Sequence, residues 1–225
     1  MISVQWEKEF APSYTILKVK LSPGDSVVAE PGAMVLMRGD IEIKTGISGG
    51  LLKGLGRKLL GGESLFMNTY IAKGDSELWL APGLPGDIEY IPLNDEEYHV
   101  QDMSYLAHHG NVEVGVKFKG FKGLLAGGSG VFWLKIKGTG GVWVGGFGGI
   151  NIIDLKPGEK ITIDNFHVMA IESTVNWKIR MIKGGLKTKL FGGEGLVIEA
   201  EGPGKIYTQS RVLGTLARLM MKFMK

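Results

Sequence analysis

Gly61-Gly62-Glu63-Ser64-Leu65, Gly127-Gly128-Ser129-Gly130-Val131 and Gly192-Gly193-Glu194-Gly195-Leu196 occupy equivalent places in the sequence, at intervals of 66 and 65 residues. Each follows a Leu/Lys stretch: Arg57-Lys58-Leu59-Leu60, Lys122-Gly123-Leu124-Leu125 and Lys187-Thr188-Lys189-Leu190-Phe191. Each precedes an apolar run of strand length. A fixed period of this size marks a structural repeat in which each copy is one supersecondary unit. A second element recurs with it: Pro23-Gly24-Asp25, Asn94-Asp95-Glu96 and Pro157-Gly158-Glu159 each open a segment that reads strand, polar turn, strand. Gly39-Asp40-Ile41-Glu42-Ile43 lines up with Gly110-Asn111-Val112-Glu113-Val114.

Between these markers the hydrophobic period is two. Leu17, Val19 and Leu21 alternate with Lys18 and Lys20; Val112, Val114, Val116 and Phe118 alternate with Glu113, Gly115, Lys117 and Lys119. Side chains alternate across a strand, so this pattern buries one face and wets the other. Similar runs at Ile161 to Ile163, Trp177 to Met181 and Leu196 to Ile198 are bounded by Gly, Pro, Asn or Asp. The expectation is an all-β single domain over residues 1–225. It consists of three degenerate antiparallel units, about 1–89, 90–152 and 153–211, sandwich- or barrel-like and pseudo-threefold, closed by a short amphipathic helix at 213–225. Trp6, Trp79, Trp133, Trp143 and Trp177 lie in or beside strands and are expected in the core.

Composition narrows the function classes. The chain has 225 residues, 36 glycines, no cysteine and a net charge of +3. Lack of cysteine removes disulfides, thiolate metal sites and cysteine nucleophiles; with no apolar run of signal-peptide length in Met1 to Phe10, it points to a cytoplasmic location. No apolar run approaches the ~20 residues of a membrane-spanning helix. The modest charge is no nucleic-acid signature.

Four stretches together resemble the altered inheritance of mitochondria family, known in prokaryotes as a domain of unknown function and classed structurally with the tryptophan RNA-binding attenuation protein. They are Gly61 to Thr69 (GGESLFMNT), Leu80 to Ile88 (LAPGLPGDI), Asp164 to Ala170 (DNFHVMA), and Gly192 to Leu196 with Gly202-Pro203-Gly204 and Gln209-Ser210-Arg211. The resemblance implies a pseudo-threefold β domain without a known activity or established ligand, often in a homo-oligomer. Its eukaryotic members are linked to mitochondrial inner-membrane organisation. Kinship to an RNA-binding protein is an analogy of fold, which does not carry function.

No catalytic constellation is legible. His108 and His109 are adjacent, and strand neighbours point to opposite faces, so they do not chelate one ion. His167 reads as a partly buried imidazole hydrogen-bonded within its unit. No nucleophile elbow, dinucleotide fingerprint or phosphate loop is present, and no cofactor is expected. Two features remain for a partner. The segments leading into the glycine pairs mix leucine with positive charge and contain no acid; Lys53, Leu55, Arg57, Lys58, Lys122, Lys187 and Lys189 are the candidate binding residues. The C-terminal helix places Leu213, Leu216, Met220, Phe223 and Met224 on one face, and Leu216, Met220, Phe223 and Met224 are the candidate oligomer interface. The leading reading is a non-catalytic, homo-oligomeric β scaffold that docks on an anionic membrane surface or a protein partner. A single-stranded nucleic-acid binder and a metal-dependent, cupin-like enzyme are the alternatives.

Overall fold

The computed structural model describes residues 4–47, 66–117, 133–181 and 196–224. Strand β1 (Gln5–Glu9) leads into β2 (Ile16–Leu21), β3 (Ser26–Ala29), β4 (Met34–Arg38), β5 (Ile41–Ile47), β6 (Phe66–Ala72) and β7 (Ser76–Leu80). Three long strands follow: β8 (Ile88–Gln101), β9 (Tyr105–Lys117) and β10 (Trp133–Gly145). The last group is β11 (Ile150–Leu155), β12 (Lys160–Asp164), β13 (Val168–Glu172), β14 (Asn176–Met181), β15 (Leu196–Glu201) and β16 (Gly204–Gln209), and helix α1 (Leu213–Met221) follows. The named strands pair antiparallel in three open sheets of order β1-β2-β7-β4, β11-β16-β13-β8-β10-β9-β3-β6-β5 and β12-β15-β14; no closed barrel forms among the described strands.

The same pairing diagram is drawn three times. In the first group β7 sits between β2 and β4, and β6 between β3 and β5. In the last group β16 sits between β11 and β13, and β15 between β12 and β14. In the middle group the halves are fused, so that β10 runs its whole length between β8 and β9. A register shift also recurs: between Met34 and Leu36 against β7, between Tyr105 and Ala107 against the end of β10, and between Val168 and Ala170 against β16. Each places an extra residue, Val35, Leu106 or Met169, in a β-bulge.

The turn residues explain why each strand breaks where it does. Between β2 and β3 the Asp25 carboxylate accepts the Ser22 N–H at 2.8 Å, and between β11 and β12 the Glu159 carboxylate accepts the Lys156 N–H at 2.9 Å. In the middle group the corresponding acid, Glu96, accepts the Asn94 N–H beside Asp95, whose φ is +66°, and the ladder slips there without ending the strand. Gly39 and Gly110, aligned by sequence, both have φ near +90°; a Cβ on Gly110 would sit 2.5 Å from the Thr139 carbonyl oxygen, so only glycine fits.

The alternation read from sequence is the alternation of burial. Leu17, Val19 and Leu21 are interior, and Val114 is buried between partly buried Val112 and Val116. Three apolar clusters form the core. Trp143 lies in the first with Leu17, Leu78 and Ile88; Val100 and Ile136 centre the second; Trp133 and Trp177 join Ile198 and Ile206 in the third. Trp133, Trp143 and Trp177 are thus core, whereas Trp6 and Trp79 are only half-buried, the latter beneath the Lys18 ammonium at 4.1 Å.

Candidate functional site

The histidines divide as their alternation requires. On one side of β9, His109 Nε2 lies 2.9 Å from the Tyr90 hydroxyl, and its ring stacks on Tyr90 and packs beside Trp143. On the other, His108 Nδ1 lies 2.7 Å from the Tyr105 hydroxyl, which also donates to the Val28 carbonyl at 3.2 Å. Burial, helped by the neighbouring His109, pushes the His108 imidazole down to about 4, and burial also lowers His109. Both rings are therefore neutral in the folded protein near pH 7. Partly buried His167 places Nδ1 2.6 Å from the Gln209 carbonyl oxygen of its own group, as expected. Among the described residues no three His, Asp or Glu side chains converge in a way that could hold a metal ion.

Within electrostatic reach of Tyr105 lies Glu30, one of a pair of acids that sequence spacing does not reveal. Glu30 follows β3 and Asp102 follows β8, and the Glu30 N–H donates to the Leu106 carbonyl at 3.0 Å, which brings the two turns together. Burial first, and the charge of Asp102 second, raise the Glu30 carboxyl to about 7. Its charge adds to the burial that raises Tyr105 well above the usual phenol range. Asp102 acts on Glu30, Glu30 on Tyr105, and Tyr105 meets His108, a chain of polar groups where the first and second groups meet; these residues belong to different turns and strands, so no local motif announces them.

The C-terminal helix differs from its sequence reading in length and in surroundings. It spans Leu213–Met221, with Lys222 as its C-terminal cap, so Phe223 and Met224 of the expected apolar face lie beyond it and the helix does not reach residue 225. The shortening has a physical cause: the segment is short and no described side chain of the helix is buried, so tertiary packing does not extend it. Exposure runs from 39% at Leu213 through 54% at Met220 to 79% at Phe223, while Leu216 is half-buried. The segment from Ser210 to Met224 contains Arg211, Arg218 and Lys222 and no acid.

Lys53, Leu55, Arg57, Lys58, Lys122, Lys187 and Lys189, together with the repeat glycines Gly61, Gly127 and Gly192, lie outside the described residues.

A family model described as mitochondrial biogenesis AIM24 matches residues 6–211, nearly the whole chain. The chain belongs to this family. It is also 30% identical over 218 residues to an uncharacterised protein of Streptococcus pyogenes serotype M6, covering 94% of this chain and 87% of that protein. The crystal structure of a Streptococcus pyogenes protein superposes with a TM-score of 0.81 at 28% identity, covering 98% of this chain and all of the other. The AIM24 match ends at Arg211, so α1 lies outside it.

Proposed function

We propose that the protein is a non-catalytic β scaffold that associates with copies of itself and docks peripherally on an anionic lipid surface, with α1 as a docking element. The observation that carries this reading is the exposure of Leu213, Leu219, Met220, Met221, Phe223 and Met224 in an acid-free, basic segment. An apolar face of that kind is unfavourable in water, and the arginine and lysine beside it match an anionic headgroup layer better than they match a neutral surface. Each basic residue near such a surface contributes about 1 kcal/mol, and the inserted side chains add their transfer energy. The acid-free Leu/Lys segments around Lys53, Lys122 and Lys187 supply further charge of the same sign. Base stacking, by contrast, needs a run of exposed aromatics interleaved with cations; Trp133, Trp143 and Trp177 are interior, and Trp79 beneath Lys18 is half-buried.

The test is co-sedimentation with vesicles of phosphatidylserine and phosphatidylcholine against vesicles of phosphatidylcholine alone. Full-length protein pellets with the first and not the second, and truncation after Ser210 reduces the pelleted fraction severalfold. Equal pelleting of truncated and full-length protein, or equal pelleting on both vesicles, removes the docking role of α1.

A further inference from the structure

Apart from the fusion in the middle group and the added strand β1 beside β2, the three groups differ at an edge. Where the first group meets the second, β3 pairs with the start of β9, Ala29 opposite Ala107 and Val28 opposite His108. Where the second meets the third, the end of β8 pairs with β13 in the same manner, Val100 opposite Ala170 and His99 opposite Ile171. The recurrent bulge fixes the equivalences: Met37, His108 and Ile171 each stand one residue past it. In these terms β12 corresponds to β3 and to the end of β8, and β4 corresponds to the start of β9 and to β13. The junction that would join β12 to β4 is not made. Among the described strands β4 pairs only with β7, and β12 only with β15.

The consequence shows in burial. Tyr105 through His109 in β9 and Val168 through Ile171 in β13 are all buried. In β4, Met34, Val35 and Met37 are 41%, 49% and 36% exposed, although the strand is as apolar as β13. On the other side of the missing junction, Ile161 and Ile163 of β12 are only partly buried. An unpaired strand edge is a template for another strand, and proteins guard such edges with proline, charge or distortion. Here Met34-Val35-Leu36-Met37 carries neither proline nor charge, and its bulge is no guard, because β9 and β13 have the same bulge and are paired on both sides.

We infer that β4 of one molecule pairs antiparallel with β12 of a second copy of this chain, making between molecules the junction made twice within each. The occupant is a second copy because both edges belong to this chain and the single chain leaves them unpaired with one another. The internal junctions set the register: Leu36 opposite Ile163, Met37 opposite Thr162, Arg38 opposite Ile161. The contact is heterologous, with one surface of each molecule meeting a different surface of the next, so it propagates into a ring or a filament. This deepens the self-association named above and is independent of lipid.

The cysteine-free sequence makes the test direct. Residues opposite one another in an antiparallel pair have Cα atoms about 4.5 to 5.5 Å apart, within the range a disulfide spans. Met37→Cys and Thr162→Cys are prepared separately, checked for native circular dichroism, then oxidised alone and as an equimolar mixture without vesicles. The mixture gives a covalent dimer at least about fivefold above either variant alone, whereas Met37→Cys mixed with Lys178→Cys, on the other edge of the β12 sheet, does not. No dimer in the mixture, or as much dimer from Met37→Cys alone, overturns the heterologous contact. A Met37→Cys/Thr162→Cys double variant that oxidises wholly within one chain overturns it too, because the edges then close on themselves. Light scattering of the unmodified protein separates the two levels: an oligomer without this cross-link keeps self-association and discards the β4–β12 contact, and a monomer discards both.

Discussion

Replacing Glu30 by Gln should change how stability depends on pH, by an amount set by the environment of that carboxyl. Burial and the charge of Asp102 raise Glu30 to about 7, against an ordinary value of 4.5. A carboxyl whose folded-state pKa is raised binds its proton more tightly when folded, so its contribution favours folding at low pH and is lost as pH rises from 4.5 through 7. At 1.36 kcal/mol per pKa unit, the full penalty of ionised Glu30 above pH 7 is about 3 kcal/mol, of which roughly 2 to 3 kcal/mol develops between pH 5 and pH 8. Gln has the shape of the protonated acid and does not titrate. The variant should be close to wild type in stability near pH 5 and about 2 to 3 kcal/mol more stable at pH 8, a rise in Tm of about 5 to 10 °C for a chain of this size. His108 opposes Glu30. Its imidazole, pushed down to about 4 from 6.5, resists protonation when folded, so stability is lost as pH falls from 6.5 toward 4. In the wild type the two slopes offset one another between about pH 4.5 and 6.5, whereas Glu30→Gln exposes the histidine slope alone. Urea unfolding at pH 5, 6, 7 and 8 measures both effects. A wild-type-minus-variant difference that stays within about 0.5 kcal/mol across this range refutes the account of the Glu30–Asp102 cluster.

Gly110→Ala should destabilise by more than about 2 kcal/mol, read by chemical unfolding, because it combines φ of +87° with a Cβ driven against the Thr139 carbonyl. Trp143→Ala should cost about 3 to 5 kcal/mol by the same measurement, because it opens a cavity among Trp6, Tyr90 and His109 in the first core cluster. Tyr105→Phe removes the hydroxyl that meets both the Val28 carbonyl and His108 Nδ1, and should lower stability by about 1 to 3 kcal/mol at pH 7. Leu55→Ser with Lys53→Glu should weaken pelleting on phosphatidylserine vesicles while leaving the thermal transition in place.

The fold was largely legible because its causes are local. Leu17-Lys18-Val19-Lys20-Leu21 states its own burial pattern, and the acids at Asp25 and Glu159 and the glycines at Gly39 and Gly110 announce turns through local backbone chemistry. What escaped the sequence depends on neighbours distant in the chain. Met34-Val35-Leu36-Met37 reads much like Val168-Met169-Ala170-Ile171, yet one is exposed and the other interior, because only the second has a strand on each side. Glu30 and Asp102 each look like an ordinary turn acid; only the pairing of β3 with β9 brings their turns together. The terminal helix was visible from its apolar spacing, but its end at Met221 was not, because the periodicity continues through Phe223 and Met224, whose N–H groups still reach back to the Met220 carbonyl in a closing turn beyond the helix.

The docking claim is tested most directly at the helix itself. Met220→Cys, the sole cysteine in the chain, carries an environment-sensitive fluorophore on the exposed apolar face of α1. If that face enters an anionic bilayer, the emission shifts to the blue on addition of phosphatidylserine-containing vesicles, stays unchanged with phosphatidylcholine alone, and shifts less as salt rises. Emission that stays water-like while the labelled protein pellets with the anionic vesicles contradicts insertion of α1.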